Sequence, residues 1–188
     1  MVEVTTRGAV LIAIAREAIA ERLELGAAQG RPDAWLLAPA ASFVTLHLEG
    51  ELRGCIGSVD VHRPLGADVA HNARAAAFGD SRFQPVRVGE FASLDVEVSL
   101  LSPRSPVAAA TEAEALAKLR PGVDGVYLEF GHSHATFLPQ VWESIADPLE
   151  FLSALRHKAD LPARFWHSDL RLTRYTVEKF RDDERSRA

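Results

Sequence analysis

The chain has 188 residues, a formal net charge of -5, 47% hydrophobic residues and 25% charged residues. This is the composition of an ordinary globular protein, and it excludes the fibrous, disordered and membrane-spanning classes. No apolar run approaches the ~18 residues that a membrane helix needs. The acidic balance argues against nucleic acid as a partner, because binding phosphates requires a basic face, and it also disfavours anionic membranes. We therefore expect a cytoplasmic protein that has no membrane partner.

The sequence contains a single cysteine, Cys55. One cysteine cannot form an intramolecular disulfide or a CxxC metal site, which excludes secreted disulfide scaffolds, zinc ribbons and cysteine-bound iron–sulfur clusters as self-contained structures. The chain also lacks the P-loop, GxGxxG, HExxH and GxSxG motifs, so its motifs identify no cofactor. The roles that remain for the Cys55 thiol are packing, redox chemistry and catalysis.

The first half of the chain predicts two helices on either side of a β-hairpin. In chain order the predicted elements are a helix over 5–25, strands over 42–48 and 52–59 joined by a turn at 49–51, and a helix over 65–78. The first helix has a broad apolar stripe and is closed by Gly26, whereas the second helix follows Pro64 and is ended by Gly79. The strands show alternating apolar residues, which is the period of a half-buried strand.

The second half of the chain predicts shorter elements of both kinds. They are a strand over 94–101, a short helix from Thr111 to Leu119 with capping-box spacing, strands over 126–130 and 135–138, helical stretches over 139–145 and 148–158, a strand over 170–180 and a charged tail over 181–188. Most of the strand pairs are connected by hairpins. The sequence therefore predicts an α+β fold, with a mainly antiparallel sheet and flanking helices, over one domain that spans 1–188.

The segment Leu52–Gly57 has the sequence LRGCIG and is the most distinctive stretch of the chain. Arg53 and Cys55 are two residues apart on one predicted strand, so their side chains lie on the same face. A guanidinium beside the sulfur would favour the thiolate, which is the nucleophilic form. Gly54 and Gly57 would let a ligand or another backbone come close. The structural alternative is that Cys55 is a buried packing residue and that both glycines mark tight packing.

Four further residues are candidates to complete a site around this segment. His47 is a candidate base for Cys55, and Glu97 is a second group that could move a proton. Asp80 and Arg82 follow the second predicted helix and could bind a ligand in the same cleft. Each candidate also has a structural alternative: a surface or satisfied core histidine, an outward-facing glutamate on a half-buried strand, and an ion pair that fixes a loop.

His132 and His134 have the spacing of two metal ligands on one strand face. No third ligand stands at a defined spacing from them, and a hairpin tip explains their polarity. The sequence therefore predicts no metal site.

Six colinear segments, which cover nearly the whole chain, resemble the AMMECR domain family. They are FVTLHLEGELRGCIGS (43–58), AAAFGDSRFQPV (75–86), VEVSLLSP (96–103), PGVDGVYLE (121–129), TFLPQV (136–141) and FLSALRHKADL (151–161). The LRGCIG block is itself highly specific. The chain departs from the family pattern at Ser81, where the family usually has proline, and at Asp160, where it usually has glycine. The second departure concerns the C-terminal turn of a helix.

The resemblance implies a fold in which a larger and a smaller subdomain surround a cleft, with the LRGCIG segment facing that cleft. It also implies a genomic association with a radical SAM enzyme and with a Memo-like protein, which resembles extradiol dioxygenases. It brings no settled biochemical activity.

Two functional hypotheses follow. In the first, the protein is an enzyme or an enzyme component in which Cys55 is a nucleophile or covalent carrier, Arg53 stabilises the thiolate or binds an anionic group, and His47 or Glu97 moves protons. In the second, it is a non-catalytic binding or scaffold module for a small molecule or a peptide, and the LRGCIG segment serves backbone geometry. A nucleic-acid role comes third, because the net charge weighs against it.

Overall fold

The computed structural model describes residues 7–27, 29–30 and 33–182. Within these residues the structure has five α-helices and eight strands, in an α+β arrangement that confirms the predicted fold class. The elements are α1 (Arg7–Arg22), β1 (Ser42–Leu48), β2 (Glu51–Gly57), α2 (Leu65–Phe78), α3 (Val88–Phe91), β3 (Leu94–Leu101), β4 (Ser105–Pro106), α4 (Glu112–Lys118), β5 (Gly125–Phe130), β6 (Ser133–Phe137), α5 (Pro148–Lys158), β7 (Arg171–Tyr175) and β8 (Val177–Arg181). Two short 3-10 helices cover Ala34–Leu37 and Pro139–Glu143. None of the helices within the described ranges is long and apolar enough to span a membrane.

The chain forms two compact units, and the first contains residues up to 101 together with those from 178 onward. Its four-stranded sheet has the order β2-β1-β3-β8, so β2 lies at an edge. Both α1 and α2 pack against one face of this sheet. Val44, Leu46, Val96 and Val98 point to that face and are almost completely buried with the apolar sides of the two helices. Because successive side chains of a strand point to opposite faces, the odd-numbered residues of β1 and β3 lie on the opposite face of the sheet.

The first hairpin, β1 with β2, combines a tight turn with one irregularity. Glu49 and Gly50 have φ values of 53° and 86°, and positive φ at both positions is typical of the type I′ turn that suits a two-residue hairpin. The pairing then changes register, because Leu46 pairs with Gly54 while His47 pairs with Leu52. Arg53 is therefore the extra residue of a β-bulge, a device that redirects side chains at sheet edges.

The second unit spans residues 102–177 and contains a sheet of order β4-β7-β5-β6. Val126, Leu128 and Leu172 from this sheet form a core with α5, where Phe151 and Leu155 are fully buried. The helix α5 begins after Asp147, whose carboxylate accepts hydrogen bonds from the first turn. At the other end, Asp160 has a φ of 58°, so the residue that departs from the family pattern adopts the left-handed conformation that glycine usually provides.

The end of α1 differs from the prediction. The helix stops at Arg22, because Glu24 adopts a φ of 60° and the amide of Leu25 bonds back to the carbonyl of Ala20 at 2.9 Å. This hydrogen bond closes the helix four residues before Gly26, in the geometry of a Schellman turn. The predicted start at residue 5 lies outside the described residues.

The predicted strand over 170–180 is two strands that belong to different sheets. It breaks at Thr176, so that β7 pairs with β4 and β5 while β8 lies beside β3. Arg181 is part of β8, which corrects the prediction that the tail begins there; residues 183–188 of the tail lie outside the described residues. The sequence pattern did not predict α3, a single turn that carries Glu90.

Candidate functional site

Cys55 lies on the face of the first sheet that is opposite to α1 and α2, which we call the outer face. The cross-strand partner of Cys55 is Thr45, and the partner of Thr45 on its other side is Glu97. The outer face comprises Phe43, Thr45 and His47 from β1, Cys55 and Gly57 from β2, and Asp95, Glu97 and Ser99 from β3. Cys55 is half-buried as a residue, and its sulfur lies 3.3 Å from Oγ1 of Thr45. Cys55 is therefore not a member of the apolar core.

The backbone of Cys55 is fixed by one ion pair. Because β2 is an edge strand, the amide and carbonyl of Cys55 have no neighbouring strand on their outward side. The Oδ2 atom of Asp80 accepts the Cys55 amide hydrogen at 2.9 Å, and Nη2 of Arg82 donates to the Cys55 carbonyl at 3.3 Å. Asp80 and Arg82 thus replace a fifth strand at this one residue and protect the edge there.

The same two side chains bind each other in a bidentate arrangement. Nε of Arg82 lies 2.9 Å from Oδ1 of Asp80 and Nη2 lies 2.7 Å from Oδ2. The Asp80 side chain is 4% exposed, whereas that of Arg82 is 55% exposed. The Arg82 guanidinium, followed by the Cys55 amide, holds the pKa of the Asp80 carboxyl well below its usual range. Asp80 and Arg82 thus form the ion pair that was given as their structural alternative. The same pair also fixes the backbone of Cys55.

Arg82 is the cation that contacts Cys55 at the edge of the sheet. The pKa of Arg82 is raised, first by its hydrogen bonds to Asp80 and, to a smaller extent, by the negative charges that Asp80 and Cys55 can carry. The contact between Arg82 and Cys55 is made through the Cys55 backbone carbonyl.

Arg53 is directed elsewhere by the bulge. Its guanidinium donates to both carboxylate oxygens of Glu90, at 2.8 Å and 3.1 Å, and to the carbonyl of Gln84 at 2.8 Å. Arg53 lowers the pKa of Glu90, which also accepts a hydrogen bond from the Arg87 amide. Arg53 thereby attaches β2 to the segment between α2 and β3. This is a correction, because the expected placement of its guanidinium beside the sulfur assumed regular alternation along β2.

The two glycines of the LRGCIG segment make room for the protein's own atoms. A Cβ at Gly54 would lie 2.2 Å from the carbonyl oxygen of Ala76 in α2, and a Cβ at Gly57 would lie 2.1 Å from the Phe43 ring. The sequence left a ligand or another backbone as the group that comes close, and at Gly54 that group is the backbone of α2. At Gly57 an aromatic ring occupies the space, so neither glycine leaves room there for a ligand. Gly54 is what allows β2 to lie directly against α2.

His47 and Glu97 both line a pocket of about 350 Å³ near the β1–β2 turn. It is lined by His47, Gly50, Asp95, Val96, Glu97, Arg181 and Asp182. The Glu97 residue is 6% exposed and is paired with Arg181 at 2.6 Å and with Lys179 at 3.6 Å. His47 lies two residues beyond Thr45 on β1, and its cross-strand partner is Leu52 and not Cys55.

Apart from the two glycines, the predicted site residues therefore fall into three groups. Cys55 joins Asp80 and Arg82, Arg53 joins Glu90, and His47 joins Glu97 beside β8. Sequence reasoning missed Thr45 and Glu90. The hairpin pattern did place Thr45 on the same face as His47, and counting residues back from the turn, with one bulge allowed, would have paired it with Cys55. The local sequence contains no comparable signal for Glu90.

Metal ligands are not grouped on this face. Within residues 7–27, 29–30 and 33–182, no three His, Cys, Asp or Glu side chains come together as a metal ion would need. His132 and His134 are both exposed, and Nδ1 of His134 lies 3.3 Å from the carbonyl of His132 in their own hairpin.

Comparisons with known proteins find relatives over nearly the whole chain. The family model described as AMMECR1 matches residues 12–180. A protein of Methanothermobacter thermautotrophicus is 37% identical over 182 residues, which cover 94% of this chain and 94% of that protein. A protein of Thermotoga maritima is 36% identical over 144 residues, which cover 76% of this chain and 78% of that protein. The crystal structure of an uncharacterised protein from Pyrococcus horikoshii has a TM-score of 0.77 and 33% identity, and it covers 94% of this chain and 91% of that one.

Proposed function

The chain belongs to the AMMECR1 family, and from that premise we propose that it is an enzyme or an enzyme component in which the Cys55 thiol is the nucleophile or the covalent carrier. The observation that supports this most is the double attachment of the Cys55 backbone to Asp80 and Arg82. A catalytic group must be fixed by its neighbours so that its reactive atom is pre-positioned. Here both backbone groups are fixed while the sulfur stays outside the core.

Charge also favours a working thiol at this position. The nucleophile is the thiolate, and a nearby cation stabilises it. In this proposal Arg82, whose guanidinium donates to the Cys55 carbonyl, stabilises the thiolate in place of Arg53. Because half of the Arg82 side chain remains exposed, it is also accessible to an anionic group on a small molecule or a peptide.

The partners in this proposal are a radical SAM enzyme and a Memo-like protein. Intact-mass measurement of the chain, isolated from cells that also produce both partners, tests the proposal. We expect a mass increase that maps to Cys55 and that disappears in Cys55→Ala and when either partner is left out. Unmodified protein under all conditions, together with a Cys55→Ala variant that supports the pathway as well as the wild type does, would contradict it.

A second candidate function, a non-catalytic binding or scaffold module, is favoured by the intrachain contacts of the motif. Arg53, Gly54, Gly57, Asp80 and Arg82 all have partners within the chain, as a purely structural motif requires. Two variants distinguish these two functions. A scaffold retains partner binding and cellular function in Cys55→Ala and loses both in Gly54→Val, whereas the proposed enzyme loses function in both variants and keeps partner binding in Cys55→Ala.

A further inference from the structure

We infer that Thr45 is a positioning residue of the Cys55 site, whose hydroxyl orients the thiol and donates a hydrogen bond to the thiolate. This inference rests on the proposed function of Cys55. The carrying observation is the 3.3 Å contact between Oγ1 of Thr45 and Sγ of Cys55, between residues that pair directly across the first hairpin.

The geometry of this contact is set from both sides. Thr45 belongs to β1, which is hydrogen-bonded to β2 and β3, and its β-branched side chain has few rotamers. Cys55 is fixed through its own amide and carbonyl by Asp80 and Arg82. A contact between two fixed residues loses little entropy when it forms, so the hydroxyl is already in place when the thiol ionises.

Thr45 has a neighbour on each side of its strand, and its hydroxyl is directed to one of them. The register places Cys55 on one side and Glu97 on the other. Glu97 is engaged with Arg181 and Lys179, whereas the hydroxyl of Thr45 contacts the sulfur. The hydroxyl and the carboxylate on this row of the sheet therefore have different partners.

The chemistry of the two groups determines which one donates the hydrogen bond. A hydroxyl can donate or accept, but a thiolate can only accept. When the S–H bond of Cys55 breaks, its proton leaves to water and the electron pair stays on sulfur; the O–H of Thr45 then donates to that sulfur. A hydrogen bond to a charged acceptor is about twice as strong as one between neutral groups, so this contact favours the ionised form.

The test is the pH dependence of Cys55 alkylation by iodoacetamide, in which the thiolate displaces iodide. Since the chain has a single cysteine, intact mass reports the rate at this residue without separating peptides. The variants are Thr45→Val, which keeps the shape and removes the hydroxyl, and Thr45→Ser, which keeps the hydroxyl. Far-UV circular dichroism confirms that each variant is folded, and Thr45→Ala paired with Thr45→Ser replaces the valine variant should that one not fold.

We expect Thr45→Val to be alkylated roughly tenfold more slowly near neutral pH, with the midpoint of the profile at a higher pH than in the wild type. Thr45→Ser should retain the wild-type profile. Identical profiles for the wild type and Thr45→Val would overturn the role of Thr45 while leaving the Cys55 proposal intact. A wild-type thiol that is not alkylated until the protein is unfolded would overturn both.

Discussion

The two hairpins of the molecule, β1 with β2 and β5 with β6, carry similar-looking chemistry and differ in what surrounds it. The first presents Arg53 and Cys55 two residues apart, and the second presents His132 and His134 at the same spacing. In the first hairpin the motif residues contact partners distant in the sequence, namely Asp80, Glu90 and the carbonyl of Ala76. In the second hairpin the histidines are exposed and contact their own hairpin.

The spacing of two residues alone therefore does not identify a site. Alternation along a strand places two side chains on one face in both hairpins, and both patterns fit known ligand or catalytic spacings. What separates them is long-range attachment, because a group can be pre-positioned only when several elements fix it. We expect mutations to show the same contrast.

The largest expected effect is at Gly54. In Gly54→Ala the new methyl group would lie 2.2 Å from the carbonyl oxygen of Ala76, and neither backbone can move without disturbing the sheet or α2. We expect a loss of about 3 kcal/mol in the free energy of unfolding or a failure to fold. Chemical denaturation measures it.

Gly131 in the second hairpin is the matched control for this substitution. A methyl group at this position would meet no other group within 4 Å, but the backbone φ is 59°. Gly131→Ala should therefore cost about 1 kcal/mol through backbone conformation alone. Equal costs at the two glycines would remove the contrast between the hairpins.

The next largest effect is at Asp80 and depends on pH. In Asp80→Asn the amide retains an acceptor for Cys55 but loses the charge that binds Arg82, and we expect a cost of about 1 to 2 kcal/mol at neutral pH, reduced by the exposure of Arg82. The pKa of Asp80 is lowered by folding. Its stabilising contribution is therefore complete above the ordinary aspartate pKa of about 4 and is lost as the pH falls from there toward the folded value.

Denaturation of the wild type and Asp80→Asn between pH 7 and pH 2 checks this expectation. The difference between the two should shrink below about pH 4. Glu90, whose pKa is also lowered, is present in both proteins, so its own titration cancels in the difference. A difference that stays constant to pH 2 would mean that the Asp80 carboxylate does not stabilise the fold.

The smallest effect is expected in the second hairpin. His132→Ala and His134→Ala should each change the free energy of unfolding by less than about 0.5 kcal/mol, because the side chains are exposed and their contacts are local. Addition of zinc should leave the melting temperature of the wild type unchanged. A zinc-dependent rise that both alanine variants abolish would make this hairpin a second site.

Much of the fold follows from local sequence patterns. The bounds of β1, α2, β3 and α5 agree with the prediction, because each has a clear period and a turn, proline or glycine at its ends. The break at Thr176 has no such marker, since β7 and β8 separate through pairing with different sheets. Pairing between distant strands is a tertiary property that periodicity does not encode.

The candidate site was predictable only where local sequence patterns determine it. The importance of the LRGCIG segment and the neighbourhood of Cys55, Asp80 and Arg82 could be expected from the sequence. The direction of Arg53 could not, because a bulge of one residue reverses the alternation on which its placement depended. Glu90 was missed because α3 is one turn long and gives no periodic signal.

The alkylation rate of Cys55 in the native protein, compared with the rate in urea and with the rate of global unfolding, shows directly whether the thiol can act as a nucleophile. A fixed thiol on the outer face should react in the native state, at a rate independent of small stability changes such as those in His132→Ala. A rate that changes in proportion to the unfolded population would mean that labelling requires unfolding. Cys55 would then be a packing residue and not a nucleophile or covalent carrier.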